Sequence, residues 1–279
     1  MSLAPEVRRV GFIGLGSQGG PMARRIAGAG IPTTLWARRP EALKAFRDTG
    51  AATAPSPAEL AAVSDLVCVC VLDDAAVDEV VTGPDGVLGG LAEGGVIAVH
   101  STVHPDTVRR LADRAAEHGV TVLDAPVSGG GPAAEEGRLL VMLGGDADVT
   151  ERCRRVFETH GSPVVHLGPV GAGQRAKLIN NLLLTANMGV AESAFALARE
   201  LGVDQALLTV VLEHGSGRSF GTRMVRKPEF TLRTLGAHTG ALLRKDVRLV
   251  ADLAKDAGAR TGTVLDAADA ALRSMGCPR

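Results

Sequence analysis

The sequence predicts a doubly wound α/β fold for the first part of the chain and an all-helical fold for the rest. Up to about residue 166, short β-branched runs alternate with helical patterns, as in a sheet whose strands are joined by helices. The runs are almost continuously apolar, which is typical of strands covered on both faces. After Gly168 the strand patterns stop and helical periodicity continues. We therefore predict an α/β domain over residues 1–168 and a helical domain over residues 169–279, divided at the segment "LGPVGAG".

Each predicted element follows from a local pattern. Short apolar or β-branched runs predict strands at residues 10–14, 33–36, 65–72, 96–100, 120–124, 139–143 and 164–166. Helical patterns lie at residues 21–29, 40–49, 57–63, 75–81 and 106–118, and several begin at or next to a proline, which lacks the N–H that a first helical turn leaves unpaired. In the second domain, helical periodicity covers residues 174–201, 205–213, 240–257 and 261–275, whereas residues 215–235 are less regular.

Composition and charge exclude several classes of function. The 279 residues are 46% hydrophobic and 22% charged, which excludes a disordered chain. The net charge is −1 and both signs are spread along the sequence, so neither a nucleic acid nor a membrane surface is expected as a partner. The lack of tyrosine and the single tryptophan also argue against a base-stacking surface.

The cysteines and the apolar stretches bear on metal binding and location. Cys68, Cys70, Cys153 and Cys277 form no pair or cluster with zinc spacing, so we predict four reduced thiols, no metal and a cytoplasmic protein. No signal-peptide hydrophobic region precedes the first predicted strand. The longest apolar stretch, residues 181–198, contains polar and acidic residues and predicts a buried helix rather than a membrane span.

The loop after the first predicted strand has the spacing of a dinucleotide-binding loop. In "VGFIGLGSQGGPMA" the pattern G-x-G-x-x-G lies directly between a strand and a helix. Its first glycine allows a tight turn, its second lets a pyrophosphate approach the backbone, and its third lets the helix pack against the strand. The predicted cofactor-binding residues here are Gly14, Leu15, Gly16, Ser17, Gln18 and Gly19. The alternative is a glycine-rich turn without a ligand.

Two arginines follow the second predicted strand, where NAD sites usually carry an acidic residue for the ribose hydroxyls. The segment reads Ala37-Arg38-Arg39, and no acid occurs before Glu41. Guanidinium groups suit the 2′-phosphate of NADP because they make charge-assisted, often bidentate hydrogen bonds. We therefore predict Arg38 and Arg39 as cofactor-binding residues and NADP as the preferred cofactor, with NAD as the alternative. The other interpretation is that both are solvated charges at a helix end.

Four segments occur in order along the chain: "GFIGLGSQGGPMA", "DAPVSGGGPAAEEGRLLVMLGG", "GAGQRAKLINN" and "KDVRLV". Together they resemble the β-hydroxyacid dehydrogenase family, which includes 3-hydroxyisobutyrate dehydrogenases, tartronate semialdehyde reductases and glyoxylate/succinic semialdehyde reductases. The resemblance covers nearly the whole chain. It implies a Rossmann-type first domain, a long interdomain helix, and a helical second domain that takes part in forming homodimers or homotetramers.

The resemblance also assigns roles to individual residues. It implies that Lys177 is the catalytic lysine and that Asn181 binds the substrate. Ser128, Gly129 and Gly130 match the segment that holds the substrate carboxylate. Thr102 and Lys245 match positions that contact the cofactor, and Leu72 lies where the family lines the nicotinamide side.

The chemistry of Lys177 and Asn181 fits these roles. The two residues are four apart, so on a helix they share a face. Hydride transfer to or from an alcohol carbon requires a group that exchanges a proton with the alcohol oxygen, and a lysine whose pKa is lowered by burial in an interdomain cleft can do so. The amide of Asn181 offers donors and an acceptor to a substrate oxygen. The alternative is that both residues only cap or solvate a helix end.

The chain departs from the family pattern at two positions. Many NADP-linked relatives have Asn-Arg-Thr where this chain has Ala37-Arg38-Arg39. Seven residues before Lys245, where the family often carries an aromatic residue, this chain has His238. The sequence predicts an NADP-preferring oxidoreductase that interconverts a short 3-hydroxy acid and its semialdehyde, a small carboxylate substrate. An imine reductase-like NADPH enzyme and a non-catalytic NADP-binding module are the alternatives, and the presence of Lys177 argues against both.

Overall fold

The computed structural model describes residues 6–225 and 231–279. The chain divides into two compact units, Met1–Lys177 and Leu178–Arg279. The first unit contains the strands and the second is helical, so the predicted fold class, a Rossmann-type α/β domain followed by a helical one, is confirmed. The predicted domain division between residues 168 and 169 stays a prediction.

The first unit alternates strands and helices. Its strands are β1 (Val10–Ile13), β2 (Thr33–Trp36), β3 (Ala52–Thr53), β4 (Leu66–Val69), β5 (Val96–Val99), β6 (Thr121–Asp124), β7 (Val127–Ser128), β8 (Leu139–Leu143) and β9 (Gly161–His166). Its helices are α1 (Gly19–Gly28), α2 (Pro57–Ala62), α3 (Asp74–Thr82), α4 (Pro105–Ala116), α5 (Gly130–Glu135) and α6 (Ala147–Glu158), with 3₁₀ turns at Pro40–Phe46 and Val87–Gly89. A longer helix, α7 (Ala172–Glu200), begins in this unit.

The main sheet is parallel and has the order β3-β2-β1-β4-β5-β6. After β3 the chain returns to the other side of β1, so the direction of winding reverses between β1 and β4, and ligands of such sheets bind outside the carboxyl ends of the strands at this reversal. Neighbouring residues of β1 enter different cores: Phe12 packs into one cluster and Ile13 into another, and both are fully buried. A sheet covered on both faces explains why its strands read as continuous apolar runs.

The last strands of the first unit form a second sheet. In it β7 pairs antiparallel with β8 and β8 pairs parallel with β9, and an isolated antiparallel bridge between Asp124 and Gly144 connects it to β6 of the main sheet. Only two residues separate β6 from β7, too few for a crossover to a parallel neighbour. We also predicted no helix between residues 143 and 164, where α6 lies, and the helix predicted over residues 40–49 is a 3₁₀ turn ending at Phe46.

The second unit is helical. After α7 it contains α8 (Gln205–His214), α9 (Phe220–Val225), α10 (Leu232–Leu235), a π-helical turn (Gly236–Gly240), α11 (Ala241–Asp256) and α12 (Gly262–Ser274). Leu182, Val247 and Leu272 belong to its core, whereas α8 has no buried residue. Residues 226–230, within the segment predicted to be less regular, lie outside the described residues. Across the described ranges, no helix is both long and apolar enough to cross a membrane.

Candidate active site

The loop between β1 and α1 needs two of its glycines for packing. Gly14 has φ +96°, and a Cβ there would overlap the carbonyl oxygen of Cys70, the residue after β4. A Cβ on Gly19 would overlap the carbonyl oxygen of Gly14 and lie 3.1 Å from a ring carbon of Phe12. The loop is therefore drawn tightly against the end of β4, at the reversal point of the sheet.

Gly16 has a different reason to be glycine. A Cβ there would meet nothing within 4 Å, and the residue is exposed. The protein itself therefore does not require a glycine at this position, and the open space beside the backbone fits the close approach of a ligand. At the start of α1, Gln18 makes no side-chain capping bond and no acidic residue occupies the first turn. The N-terminal N–H groups of this ten-residue helix suit an anion such as a pyrophosphate.

The two predicted arginines lie at the same sheet edge. β2 pairs with β1 in the register Ile13 with Trp36, so Arg38 follows β2 at the edge where Gly14 follows β1. Arg38 and Arg39 are both exposed. Two exposed cations beside the predicted dinucleotide-binding loop would suit the 2′-phosphate of a ribose.

Hydrogen bonds connect the loops that follow β4 and β5. The Ser101 hydroxyl donates to the Val71 carbonyl oxygen at 2.8 Å and accepts from the Val71 N–H at 2.8 Å. The predicted cofactor residues Leu72 and Thr102 each follow one of these bonded residues. Leu72 is 67% exposed, and Thr102 is half-buried. An exposed apolar side chain at this edge suits the face of a flat ring.

The segment predicted to hold the substrate carboxylate reaches the dinucleotide loop. Ser128 ends β7, and Gly129 and Gly130 have φ values of +136° and +75°. A Cβ on Gly131 would lie 3.1 Å from the carbonyl oxygen of Ser17. The structure therefore brings the serine–glycine segment next to the predicted pyrophosphate loop. Consecutive glycines with positive φ can turn backbone N–H groups toward one anion.

Asp124, which sequence reasoning missed, holds the first turn of α7. Its carboxylate is fully buried and accepts from the N–H groups of Gly171 at 2.7 Å and Gln174 at 2.8 Å. Burial raises the pKa of Asp124, and the hydrogen bonds from Gly171 and Gln174 oppose that shift. The Gln174 side chain in turn bonds Ser101 and Val103.

Lys177 lies three residues beyond Gln174 on α7 and is only 8% exposed. Lysines are rarely so buried. A lysine side chain buried one helical turn from residues bonded to the loop after β5 has the chemistry to give or take a proton.

In the second unit, Asn181 belongs to a buried polar cluster. Its amide nitrogen donates to Asp246 Oδ2 at 2.6 Å, and its amide oxygen accepts from Asn180 at 3.1 Å. Lys245 Nζ lies 3.3 Å from Asp246 Oδ1. The buried Asp246, which the sequence analysis did not single out, therefore contacts two of the predicted site residues. Its position directly after Lys245 in "KD" was the available signal.

The histidines do not build a metal site. Among the described residues, no group of three or more His, Cys, Asp or Glu side chains could hold a metal ion. His100 and His160 are buried with ring centroids 5.4 Å apart, and burial lowers the pKa of His100 to about 4 and that of His160 well below its ordinary value. His238 is exposed in the π-helical turn, with Nδ1 2.9 Å from the Thr234 carbonyl oxygen.

Comparisons with known proteins agree along nearly the whole chain. A family model described as the NAD binding domain of 6-phosphogluconate dehydrogenase matches residues 9–168. A second, described as NAD-binding of NADP-dependent 3-hydroxyisobutyrate dehydrogenase, matches residues 171–276.

Relatives and solved structures are similar over most of their length. An uncharacterized oxidoreductase of Mycobacterium tuberculosis is 36% identical over 89% of this chain and 87% of its own length. The 3-hydroxyisobutyrate dehydrogenase of Pseudomonas aeruginosa is 35% identical over 77% of this chain and 72% of its own. The structure of Mycobacterium tuberculosis 3-hydroxyisobutyrate dehydrogenase with L-serine has a TM-score of 0.82 at 29% identity, covering 95% of this chain and 93% of that one. A complex of Psf3 with NADP⁺ and 2-OPP has a TM-score of 0.77 at 26% identity, covering 87% and 86%.

Proposed function

Because the chain belongs to the β-hydroxyacid dehydrogenase family, whose members are NAD(P)-binding oxidoreductases, we propose that it interconverts a short 3-hydroxy acid and its semialdehyde with Lys177 as general acid/base. The observation that carries the proposal is the burial of Lys177 one helical turn from residues bonded to the loops around the reversal point of the sheet. A bound nicotinamide supplies the hydride or accepts it.

In this proposal Lys177 is the residue that donates and accepts the proton. In reduction its ammonium group donates a proton to the aldehyde oxygen, and in oxidation the neutral amine takes the proton of the substrate hydroxyl. Its burial in the folded chain keeps bulk water from competing for that proton. Asn181, four residues further along the helix, is proposed to hold a substrate oxygen through its amide, which Asp246 and Asn180 orient.

The serine–glycine segment is proposed to select a carboxylate substrate. Ser128 offers a hydroxyl, and the backbone of Gly129 and Gly130 has the positive φ values that let N–H groups converge on an anion. A similar dehydrogenase was solved with L-serine, a molecule that has both a carboxylate and a 3-hydroxyl group. We therefore favour 3-hydroxyisobutyrate and its semialdehyde. Succinic semialdehyde, which is one carbon longer between its carboxylate and its aldehyde and is reduced to a 4-hydroxy acid, is the second substrate that we would test.

The cofactor is proposed to be NADP, contacted by the loop from Gly14 to Gly19, by Arg38 and Arg39, and by Leu72, Thr102 and Lys245. Support comes from the two exposed arginines and from the open space beside Gly16. One matching model describes an NADP-dependent enzyme, and a similar structure contains NADP⁺. NAD is the alternative, and a cytoplasmic location stays a prediction.

A homo-oligomer is proposed to form through the helical unit. One stripe of α7 and the turn that follows it exposes Ile179, Leu183, Val190, Leu197 and Leu201 at helical spacing. On α8, Leu207, Val210 and Val211 are also exposed. Soluble proteins rarely leave such continuous apolar surfaces in contact with water. A second copy of the chain presents the same apolar surface, so a twofold contact would cover both copies.

The proposed function is tested by Lys177→Met, which removes the ammonium group and keeps an unbranched side chain. We expect turnover of a panel of short semialdehydes with NADPH to fall at least about 100-fold, while NADPH affinity changes less than about threefold, because the lysine acts on the reacting oxygen. The matched control is Lys255→Met on the exposed surface of α11, which should keep wild-type rates.

Other outcomes separate the alternatives. Cyclic imines reduced faster than semialdehydes would favour an imine reductase. NADPH binding without turnover of any substrate in the panel would favour a non-catalytic module. Full turnover by Lys177→Met would refute the proposed acid/base.

A further inference from the structure

The first turn of α7 is capped from a distant part of the sequence. Helix N-termini leave N–H groups unpaired, and the capping oxygen usually belongs to the residue just before the helix. Here that residue is Gly171, whose carbonyl accepts the first helical bond from Arg175 and which has no side chain. Asp124, at the end of β6, supplies both oxygens: Oδ1 accepts from the Gly171 N–H at 2.7 Å and Oδ2 from the Gln174 N–H at 2.8 Å.

The carboxylate of Asp124 has little room to move. A Cβ on Gly144 would overlap its Oδ1, and a Cβ on Gly173 would lie 2.9 Å from its Oδ2. The backbone of Asp124 is fixed as well, by two hydrogen bonds with Gly144 at 3.0 and 2.8 Å. Glycines on both sides thus make room for a side chain that is fully buried. The cap therefore holds the start of α7 at the end of β6.

Gln174 makes a second connection from the same turn. Its Oε1 accepts from the Val103 N–H at 3.1 Å, and its Nε2 donates to the Ser101 carbonyl oxygen at 2.8 Å. Ser101 is itself bonded twice to Val71. The start of α7 and the loops after β4 and β5 therefore form one hydrogen-bonded network. Gln174 is fully buried within it.

We propose that Asp124 and Gln174 are positioning residues for Lys177, and this proposal rests on the function proposed above. Lys177 follows Gln174 by three residues, about 4.5 Å along the helix axis. A shift of the first turn therefore moves the lysine ammonium relative to the loops bonded to Gln174. Misplacement of a reacting group by about 1 Å can reduce a rate about 100-fold. Neither residue needs to touch the substrate to affect the rate.

The test uses Asp124→Asn and Gln174→Met. Asparagine has the size of aspartate but turns one acceptor into an NH₂ group, which would face a backbone N–H donor. Methionine fills the space of Gln174 and makes neither of its side-chain hydrogen bonds. We expect kcat with NADPH and a semialdehyde to fall at least about tenfold in each variant, because a misplaced lysine affects the reacting complex. In Asp124→Asn, the KM of the semialdehyde and the NADPH affinity should change less than about threefold.

The control for the cap is Asp146→Ala. Asp146 is the residue just before α6, and its exposed carboxylate accepts through Oδ1 from the N–H groups of Asp148 and Val149 at 3.0 Å each. Asp146→Ala should lose thermal stability because alanine cannot cap the helix, while its kcat stays within about twofold of wild type. Gln205→Met, which removes a single side-chain bond to Val203 in the helical unit, is the control for Gln174.

The outcomes separate this proposal from the proposed function. If Lys177→Met is inactive but Asp124→Asn and Gln174→Met keep kcat within about twofold, the positioning role is wrong and the function stands. An equal loss of kcat in Asp146→Ala would mean that general destabilisation is the cause, which also overturns the role. If Lys177→Met keeps full turnover, both proposals fail. Should Asp124→Asn not fold, Gln174→Met and its control decide the result.

Discussion

Three glycines of one loop do different work at the residue scale. Gly14 and Gly19 are glycines because protein atoms occupy the place of a side chain, whereas at Gly16 that place is open. All three could be predicted from the sequence because the spacing G-x-G-x-x-G carries both requirements together. At Gly16 no neighbouring protein atom within 4 Å requires a glycine, so its role in binding a pyrophosphate stays a prediction.

The residues that the sequence did not predict share a physical reason. The two backbone partners of the Asp124 carboxylate are 47 and 50 residues away in sequence, and the Asp246 partner Asn181 is 65 residues away. A carboxylate that accepts from remote backbone groups has no local spacing to reveal it. Lys177 and Asn181 could be proposed because both lie in one short helical segment and share a recognisable motif.

A prediction at this scale concerns the cofactor. Arg38→Asp should weaken NADPH binding at least about tenfold more than NADH binding, because a charge-assisted hydrogen bond to the 2′-phosphate becomes a repulsion. Fluorescence titration of both cofactors measures the ratio. Arg47→Asp makes the same charge change at another exposed arginine and should leave the ratio unaltered. A ratio that Arg38→Asp also leaves unaltered would remove this residue from cofactor selection.

At the scale of secondary-structure elements, α6 and α8 show what helical periodicity does and does not predict. We did not predict α6, although its buried residues, Thr150, Cys153, Val156 and Phe157, recur at helical spacing. α8 could be predicted from its periodicity, yet none of its ten residues is buried. Helical periodicity in the sequence therefore predicts that a helix forms, but it does not predict what packs against the apolar face of that helix.

The exposed side of α8 leads to a prediction about assembly. Val211→Glu should raise the dissociation constant of the homo-oligomer at least about 100-fold, because it introduces a charge into the proposed apolar contact. Sedimentation equilibrium across a range of concentrations measures this change. Val63→Glu, at an isolated exposed valine of the first unit, is the control and should leave assembly intact. A wild-type chain that is monomeric at high concentration would contradict the proposal.

At the scale of the whole molecule, five strands of the parallel sheet could be predicted because they are apolar runs separated by helical patterns. The edge strand β3 was not predicted, because it consists of two exposed residues and has no apolar run. We did not predict that β7, β8 and β9 form a sheet of their own, because strand pairing depends on the connections between strands and not on local periodicity.

The sequence also did not predict an aromatic cluster in which Phe12, His100, Phe157 and His160 pack together.

This cluster predicts how stability depends on pH. The pKa of His100 is lowered to about 4 and that of His160 lies well below its ordinary 6.5, in both cases chiefly through burial. Below pH about 6.5 these two histidines bind protons in the unfolded chain but stay neutral in the folded chain. Their contribution to the free energy of unfolding is therefore fully present above pH about 6.5 and is lost as the pH falls toward 4. His160→Phe should reduce the slope of unfolding free energy against pH by about 1.4 kcal/mol per pH unit near pH 5.

Denaturant titrations at several pH values between 4.5 and 7.5 provide the measurement. His118→Phe, at an exposed histidine after α4, should keep the wild-type slope. An unchanged slope in His160→Phe would mean that this imidazole titrates normally in the folded state.

The approach of Gly131 to the Ser17 carbonyl oxygen has a consequence for the order in which ligands arrive. If the loop at Ser17 binds a phosphate group of the cofactor and the segment at Gly131 binds the substrate carboxylate, both ligands contact backbone segments that touch each other. The ligand that binds first orders this backbone, so the second ligand loses less conformational entropy on binding. Because binding coupling is reciprocal, each ligand would raise the affinity for the other by the same factor.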